Sequence, residues 1–491
     1  MKFSFKFANI IFVLGIILSI LISIYGIYKI YHPAGHDVIL TFYYISALCG
    51  GIAATLFIFG LIKLNNELKV NFSILFVVIG ISLYAFETYI EFKNPPLIRE
   101  SNKSKIAIAK KMGISYDART PFEVFEELAD SNIEAYPNIG PQDYPFSNGL
   151  VTTNGRIYPL GGIANITTVL TNEAGYYPII QTDEHGFNNP KGLYKTGEVD
   201  ILLIGDSFAE GQGVNTEDSI HGRLGDLSYN CISLGKGGSG SLIELAALKE
   251  YGKPLQPKIV LWLYYKNDFS DMVIELNSNI LRKYLYENNF SQNLISRQNE
   301  IDFVSINSIP KEKIKIEEKL VTKKMLANHR IVRIAKLYNT RLLINLTSTK
   351  SLKEIDKFTF KSLFDLFNPP PFQYDFYKKH INHVDTFKNI MKKSKDMVDE
   401  WEGKLYFVYL PSYHKYSYNV IDPFREDALR IINELNIPII DMHEEVFASH
   451  PDPLSLFPLR RNGHYNADGY RLVAEAINKK LKDDGVLFKK E

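Results

Sequence analysis

An α/β fold of three layers, helices on both faces of a parallel sheet, is predicted for the large C-terminal part of this 491-residue chain, with three membrane-spanning helices ahead of it. Two observations predict it. From about residue 199 onward, short and wholly apolar runs alternate with amphipathic stretches, which is the repeat of a doubly wound domain. Before that, residues 1–93 hold three long segments without a charge.

Those segments run from Phe7 to Tyr28, Val38 to Ile62 and Val70 to Phe86, against the about 20 apolar residues that a spanning helix requires. The first is too long for a secretory leader, lacks a small-x-small cleavage site, and is followed by two more spans, so it is expected to stay. Three buried helices of a soluble core would need a polar face that these segments lack. Lys2, Lys6, Lys63 and Lys69 favour a cytoplasmic amino terminus, which puts the large domain outside after three spans. Arg99, Lys103, Lys105, Lys110 and Lys111 argue the other way, but long domains translocate largely regardless of charge. That basic stretch reads as a solvated connector.

Charge and cysteine content exclude several classes. Lys and Arg total 56 against 55 for Asp and Glu, a net charge of +1, so no field gathers nucleic acid. The two cysteines, Cys49 and Cys231, sit in apolar runs and cannot build a disulfide framework or a metal knuckle. No His/Cys/carboxylate cluster has metal-ligand spacing and SLGKGGSGS lacks the ending of a phosphate-binding loop, so neither metal nor organic cofactor is expected.

Residues 94–196 form a linker and a small β-rich lead-in. After the Asn94-Pro95-Pro96 break, TPFEVFEELAD carries the marks of a helix start, with Thr120 as N-cap, Pro121 in the first turn and Glu123 closing a capping box. The stretch from about Tyr136 to Lys195 is rich in Gly, Pro, Asn and Thr, which suits turns and short strands. The α/β domain is residues 197–491. Its strands are VDILLIG (199–205), YNCISLG (229–235), KIVLWLYY (258–265) and KLYFVYL (404–410), with IPIID (437–441) a fifth. SLIELAALKEYG, FREDALRIINEL and the closing ADGYRLVAEAINKKLKD are its helices. An insertion at about 270–402 is expected to be helical, with LANHRIVRIAKLY (326–338) one of its helices, because a structureless loop of that length is improbable in a compact domain.

Four places carry chemistry. ILLIGDSFAEGQGV ends a strand in Gly205-Asp206-Ser207-Phe208 where a helix should begin, and ligands of open α/β sheets bind at strand carboxyl ends. Ser207 there can attack a carbonyl while its own N–H steadies the oxyanion, or it can simply cap the helix. After the next two strands, Gly238 can bring a backbone N–H close to a carbonyl and Asn267 can offer a side-chain amide, though both residue types also make turns. His464 stands ahead of the closing helix, with Asn466 as its N-cap.

These four blocks, in this order, resemble the SGNH (GDSL-type) hydrolase and acyltransferase superfamily, over about residue 183 to the carboxyl terminus. DEHGFNNP, Asp183 to Pro190, is also similar to the lead-in of bacterial envelope members, including those related to alginate O-acetyltransferases. The resemblance implies a flavodoxin-like α/β/α domain, Ser207 as nucleophile, Gly238 and Asn267 as oxyanion donors, and His464 as general base. It implies an acylated glycan or small ester as substrate, an acyl-serine intermediate, and a protein of the bacterial inner membrane with its large domain on the periplasmic or extracellular side. Three spans are too few for a donor channel, so a transferase would need a separate acyl-donor membrane protein. One departure stands out: where the family places an aspartate two or three residues before the histidine, this chain has Asn462 and Arg461. Asn462 or a backbone carbonyl then orients His464, or Asp441 or Asp452 substitutes, or catalysis is lost and the chain is a glycan-binding or scaffolding subunit.

Overall fold

The computed structural model describes residues 2–31, 38–93, 102–144, 149–308, 334, 335, 337, 381–418, 420 and 422–486. The Asn94-Pro95-Pro96 break and most of the expected helix at 326–338 lie outside them. The chain divides into two compact units, one of Met1–Ile98 with Lys324–Phe367, the other of Arg99–Lys323 with Asn368–Glu491.

The first unit contains α1 (Lys2–Tyr31), α2 (Val38–Lys63) and α3 (Asn66–Lys93). Phe12 of α1 packs edge-on to Phe57 of α2 and Phe76 of α3, with ring centroids 5.8 and 6.2 Å apart. Leu14, Leu21, Leu56 and Ile81 face outward and are more than half exposed. Ser4–Tyr25 and Asn66–Tyr89 are long and apolar enough to cross a bilayer. Three spans were expected, and the middle one is not among these: its apolar stretch, Ala47–Lys63, falls short of a spanning length among the described residues.

The second unit opens with α4 (Asn102–Lys111), so the basic connector coils into a helix. In α5 (Pro121–Asp130) the expected capping box forms, Glu123 N–H donating to Thr120 Oγ1 at 3.2 Å and Thr120 N–H to Glu123 Oε2 at 2.6 Å. The lead-in then lays down β1 (Ala135–Pro137), β2 (Leu150–Thr152), β3 (Gly155–Ile157), β4 (Thr167–Val169) and β5 (Ile179–Gln181). They make a sheet ordered β1–β4–β5 and a β2–β3 hairpin. The lead-in belongs to the same compact unit as the α/β domain.

The α/β part follows as β6 (Ile201–Ile204), α6 (Ser207–Glu210), α7 (Ile220–Gly225), β7 (Cys231–Ser233), α8 (Ser241–Ala247), α9 (Lys253–Leu255) and β8 (Ile259–Tyr264). After it come α10 (Asp268–Glu275), α11 (Asn279–Tyr286) and α12 (Gln298–Ser308). The expected insertion at 270–402 thus begins with helices and ends with α13 (Val384–Asp399); residues 309–333, 336 and 338–380 between them lie outside the described part. β9 (Lys404–Tyr409), α14 (Tyr413–Tyr418), α15 (Arg425–Glu434), β10 (Ile439–Asp441) and α16 (Ala467–Asp483) complete the unit.

The five strands are all parallel and ordered β10–β9–β8–β6–β7. Successive strand residues point to opposite faces: Leu202 and Ile204 join Val260, Trp262 and Phe407 in one core, while Ile201 and Leu203 join Leu261 and Tyr406 in the other. Both faces are therefore covered, which is why the strands read as unbroken apolar runs. From β6 the chain turns to β7 on one side and to β8 on the other, so the carboxyl end of β6 is the point where the winding reverses and a crevice opens.

Candidate active site

Ser207 stands at that crevice, as the first residue of α6. Asp206 is the N-cap and takes the Phe208 N–H on its carboxylate at 2.9 Å. The capping role open to Ser207 from sequence is therefore filled by its neighbour, and the Ser207 hydroxyl is left for His464, whose Nε2 lies 2.7 Å from Ser207 Oγ. The two groups come from positions 257 residues apart. His464 precedes α16, whose N-cap is Asn466, with Asn466 Oδ1 accepting the Gly469 N–H at 2.9 Å. Its ring rests against Phe208, centroids 4.8 Å apart.

The far nitrogen of the ring meets a residue that the sequence did not single out. Glu173, in the loop between β4 and β5, has Oε1 at 2.9 Å from His464 Nδ1 and accepts the His464 backbone N–H on Oε2 at 2.8 Å. Asn462, expected to orient the ring, is exposed and makes no hydrogen bond to it among the described residues. That expectation is corrected, because a carboxylate already occupies the position. The two substitute acids are engaged elsewhere, Asp441 with Arg425 and Asp452 with Arg460. Glycine at 463 allows the approach: a Cβ there would stand 2.6 Å from Glu173 Oε2. The loop itself is pinned by Asn172, which accepts the Gly175 N–H at 2.9 Å and donates to the Asp117 carbonyl at 3.0 Å.

Burial disfavours charge on both partners, yet their mutual attraction prevails. For His464, burial pulls the pKa down, but the charge and hydrogen bond of Glu173, with Asp206 and Glu210 behind them, raise it above the ordinary imidazole value. For Glu173, burial pushes up, and the charge of His464 with its two hydrogen bonds brings the carboxyl below its usual range.

The other two sequence candidates also come to this rim. Asn267 follows β8 and donates its amide to Asp271 Oδ2 at 2.7 Å and to Asp206 Oδ2 at 3.3 Å; Asp206 Oδ2 is in turn 3.4 Å from Ser207 Oγ. Burial pushes Asp271 up to about 7. Gly238 lies in the loop after β7 with φ +73°, a conformation that favours glycine. Beneath that loop a buried ion pair joins Lys236 Nζ to Glu210 Oε1 at 2.8 Å, and Glu210 Oε2 accepts the Gly237 N–H at 2.9 Å. Asn138 of the lead-in bridges the pair, accepting from Lys236 and donating to Glu210 Oε1, at 2.8 and 2.9 Å. Among the described residues no group of His, Cys, Asp and Glu is placed to hold a metal ion.

No protein-family profile matches the chain, and no curated protein does. Among solved structures it is similar to a lipase/acylhydrolase from Enterococcus faecalis, at 12% identity and a TM-score of 0.32 over 60% of this chain and 99% of that one. It is similar to a GDSL-like lipase from Bacteroides thetaiotaomicron, at 11% identity and a TM-score of 0.28 over 58% and 89%. An acetyl xylan esterase matches at 10% identity and a TM-score of 0.29, over 58% and 100%. Likenesses of this size decide nothing about chemistry, which rests on Ser207, His464 and Glu173.

Proposed function

We propose that this chain is a serine O-acyl esterase or O-acyltransferase of the SGNH type, acting on acylated glycans or related envelope compounds through an acyl-serine intermediate. One observation carries the proposal: Ser207 Oγ, both ring nitrogens of His464 and the Glu173 carboxylate form an unbroken line of hydrogen bonds at 2.7 and 2.9 Å. Nucleophile, base and orienting acid in this relation are recognised by geometry, whatever their order in the chain.

His464 Nε2 takes the Ser207 proton as Oγ attacks the acyl carbonyl carbon. Glu173 keeps the Nδ1 proton on the far side of the ring and offsets the charge of the imidazolium that forms. The Ser207 and Gly238 N–H groups receive the negative charge on the carbonyl oxygen, and the Asn267 amide joins them by giving up its longer, 3.3 Å bond to Asp206. Collapse expels the alcohol, which leaves with the proton from His464, and the acyl group stays on Ser207. Water or an acceptor hydroxyl, deprotonated by His464, then removes it. The reading of a silent glycan-binding scaffold was motivated by a missing acid, and Glu173 supplies one.

The two apolar helices of the first unit that are long enough to cross a bilayer support a membrane anchor, which we place in a bacterial inner membrane with the large domain on the periplasmic or extracellular side. A separate acyl-donor membrane protein would serve a transferase. Release of acetate from 4-nitrophenyl acetate and labelling by a fluorophosphonate probe test the chemistry. Wild-type protein is expected to do both and Ser207→Ala neither; equal acetate release by the two would overturn the assignment.

A further inference from the structure

Gln142 lies in a turn of the lead-in, and its surroundings set it apart from an ordinary surface side chain. The turn is rigid: Gly140 N–H donates to Asp143 Oδ2 at 2.9 Å, Asp143 N–H to the Gly140 carbonyl at 2.9 Å, and the buried Tyr158 hydroxyl to the Pro141 carbonyl at 2.8 Å. It also stands close to the loop after β7, where a Cβ at Gly140 would lie 3.4 Å from the Gly237 carbonyl oxygen and 3.5 Å from Lys236 Cε, and Asn138 bridges the buried Lys236–Glu210 pair. From this base the Gln142 side chain, itself exposed, reaches over the loop. Its Oε1 lies 2.2 Å from the point where a Gly238 Cβ would stand. Its Nε2 lies 3.8 Å from the corresponding point at Gly237, and Ser207 Cβ is 3.9 Å from that same point. The carboxamide and the Ser207 side chain therefore flank one small space, and the carboxamide makes no hydrogen bond among the described residues.

An amide held on a rigid turn, open to solvent and aimed across the glycine beside the nucleophile, contributes little to folding. What it offers is one acceptor and two donors. A hydroxyl, donor and acceptor at once, is the group that matches it; a hydrocarbon chain would leave it unpaired and desolvated. We propose that Gln142 is a specificity-determining residue that hydrogen-bonds a free hydroxyl on the alcohol portion of the ester, so that the substrate alcohol is a polyhydroxylated sugar. This deepens the function proposed above and rests on it.

The experiment compares wild-type protein with Gln142→Ala on two kinds of ester: a panel of mono-O-acetylated methyl glycosides, which keep free hydroxyls, and 4-nitrophenyl acetate, which has none. Losing one such bond should lower kcat/KM on the preferred glycoside by about tenfold, mainly through KM, and leave 4-nitrophenyl acetate within about twofold. Equal losses on both, or no loss on either, would overturn the role of Gln142. Wild-type cleavage of 4-nitrophenyl acetate without cleavage of any glycoside would overturn it too, while sparing the serine hydrolase itself. Absence of fluorophosphonate labelling at Ser207 with neither ester cleaved would instead sink the parent reading.

Discussion

Glu173 decides what His464 can do. Without a carboxylate at Nδ1 the ring would be free to take the tautomer that cannot accept the serine proton, and burial alone would hold its pKa below the ordinary value. With Glu173 in place the pKa is raised, so the base is protonated, and idle, over a wider range of acid pH. In Glu173→Gln the charge is gone and the fall in pKa caused by burial remains. The acid limb of kcat/KM against pH should move to lower pH while turnover at neutral pH falls, by up to about 10⁴ if the cost matches that in serine-protease triads. A profile of 4-nitrophenyl acetate hydrolysis checks both; a limb that stays where it was would mean that Glu173 does not act on the ring. At this scale the sequence was half legible. Ser207 and His464 stood out because each sits beside a recognisable junction, a strand end and a helix start. Glu173 did not, since a single acid in a short loop, within a stretch rich in Gly, Pro, Asn and Thr, looks like any other turn residue. The only hint was Gly463, whose missing side chain leaves room for a carboxylate.

Elements were easier to read than residues. Strands covered on both faces need apolar residues throughout, so β6, β8 and β9 announce themselves, and the capping box of α5 is written in side chains three apart. What the pattern does not announce is how loops from different elements are tied. The tie here is the Lys236–Glu210 pair, 1% and 0% exposed, which links α6 to the loop after β7 and, through Asn138, to the lead-in. Burial would push Glu210 up, but the Lys236 charge and the surrounding hydrogen bonds hold it below its usual range, so it stays ionised. Lys236→Met would strand that charge, at a cost of about 3–5 kcal/mol. A lowered melting temperature of the full chain in detergent is the expected result, largely reversed in the Lys236→Met/Glu210→Gln double variant, where no charge is left buried. If the single and double variants melt alike, the pair is not what holds these loops together.

For the whole molecule, composition divides the sequence at residues 93 and 196, whereas the folded chain joins residues 99–323 with 368–491 in one compact unit. Composition reports what a segment is made of, and packing depends on contacts such as that of Glu173 with His464, 291 residues apart, which leave no periodic trace. The consequence is that residues 197–491, although they hold every strand of the parallel sheet, do not hold a complete site. Removing the lead-in takes away Glu173, the Asn138 bridge and the turn that carries Gln142. A chain cut to residues 99–491 should label with fluorophosphonate and cleave 4-nitrophenyl acetate as the full chain does in detergent. A chain of residues 197–491, even where circular dichroism shows it folded, should lose about as much turnover as Glu173→Gln does, since the same hydrogen bond is gone. Full activity in the shorter chain would mean that the lead-in only covers a site already complete beneath it.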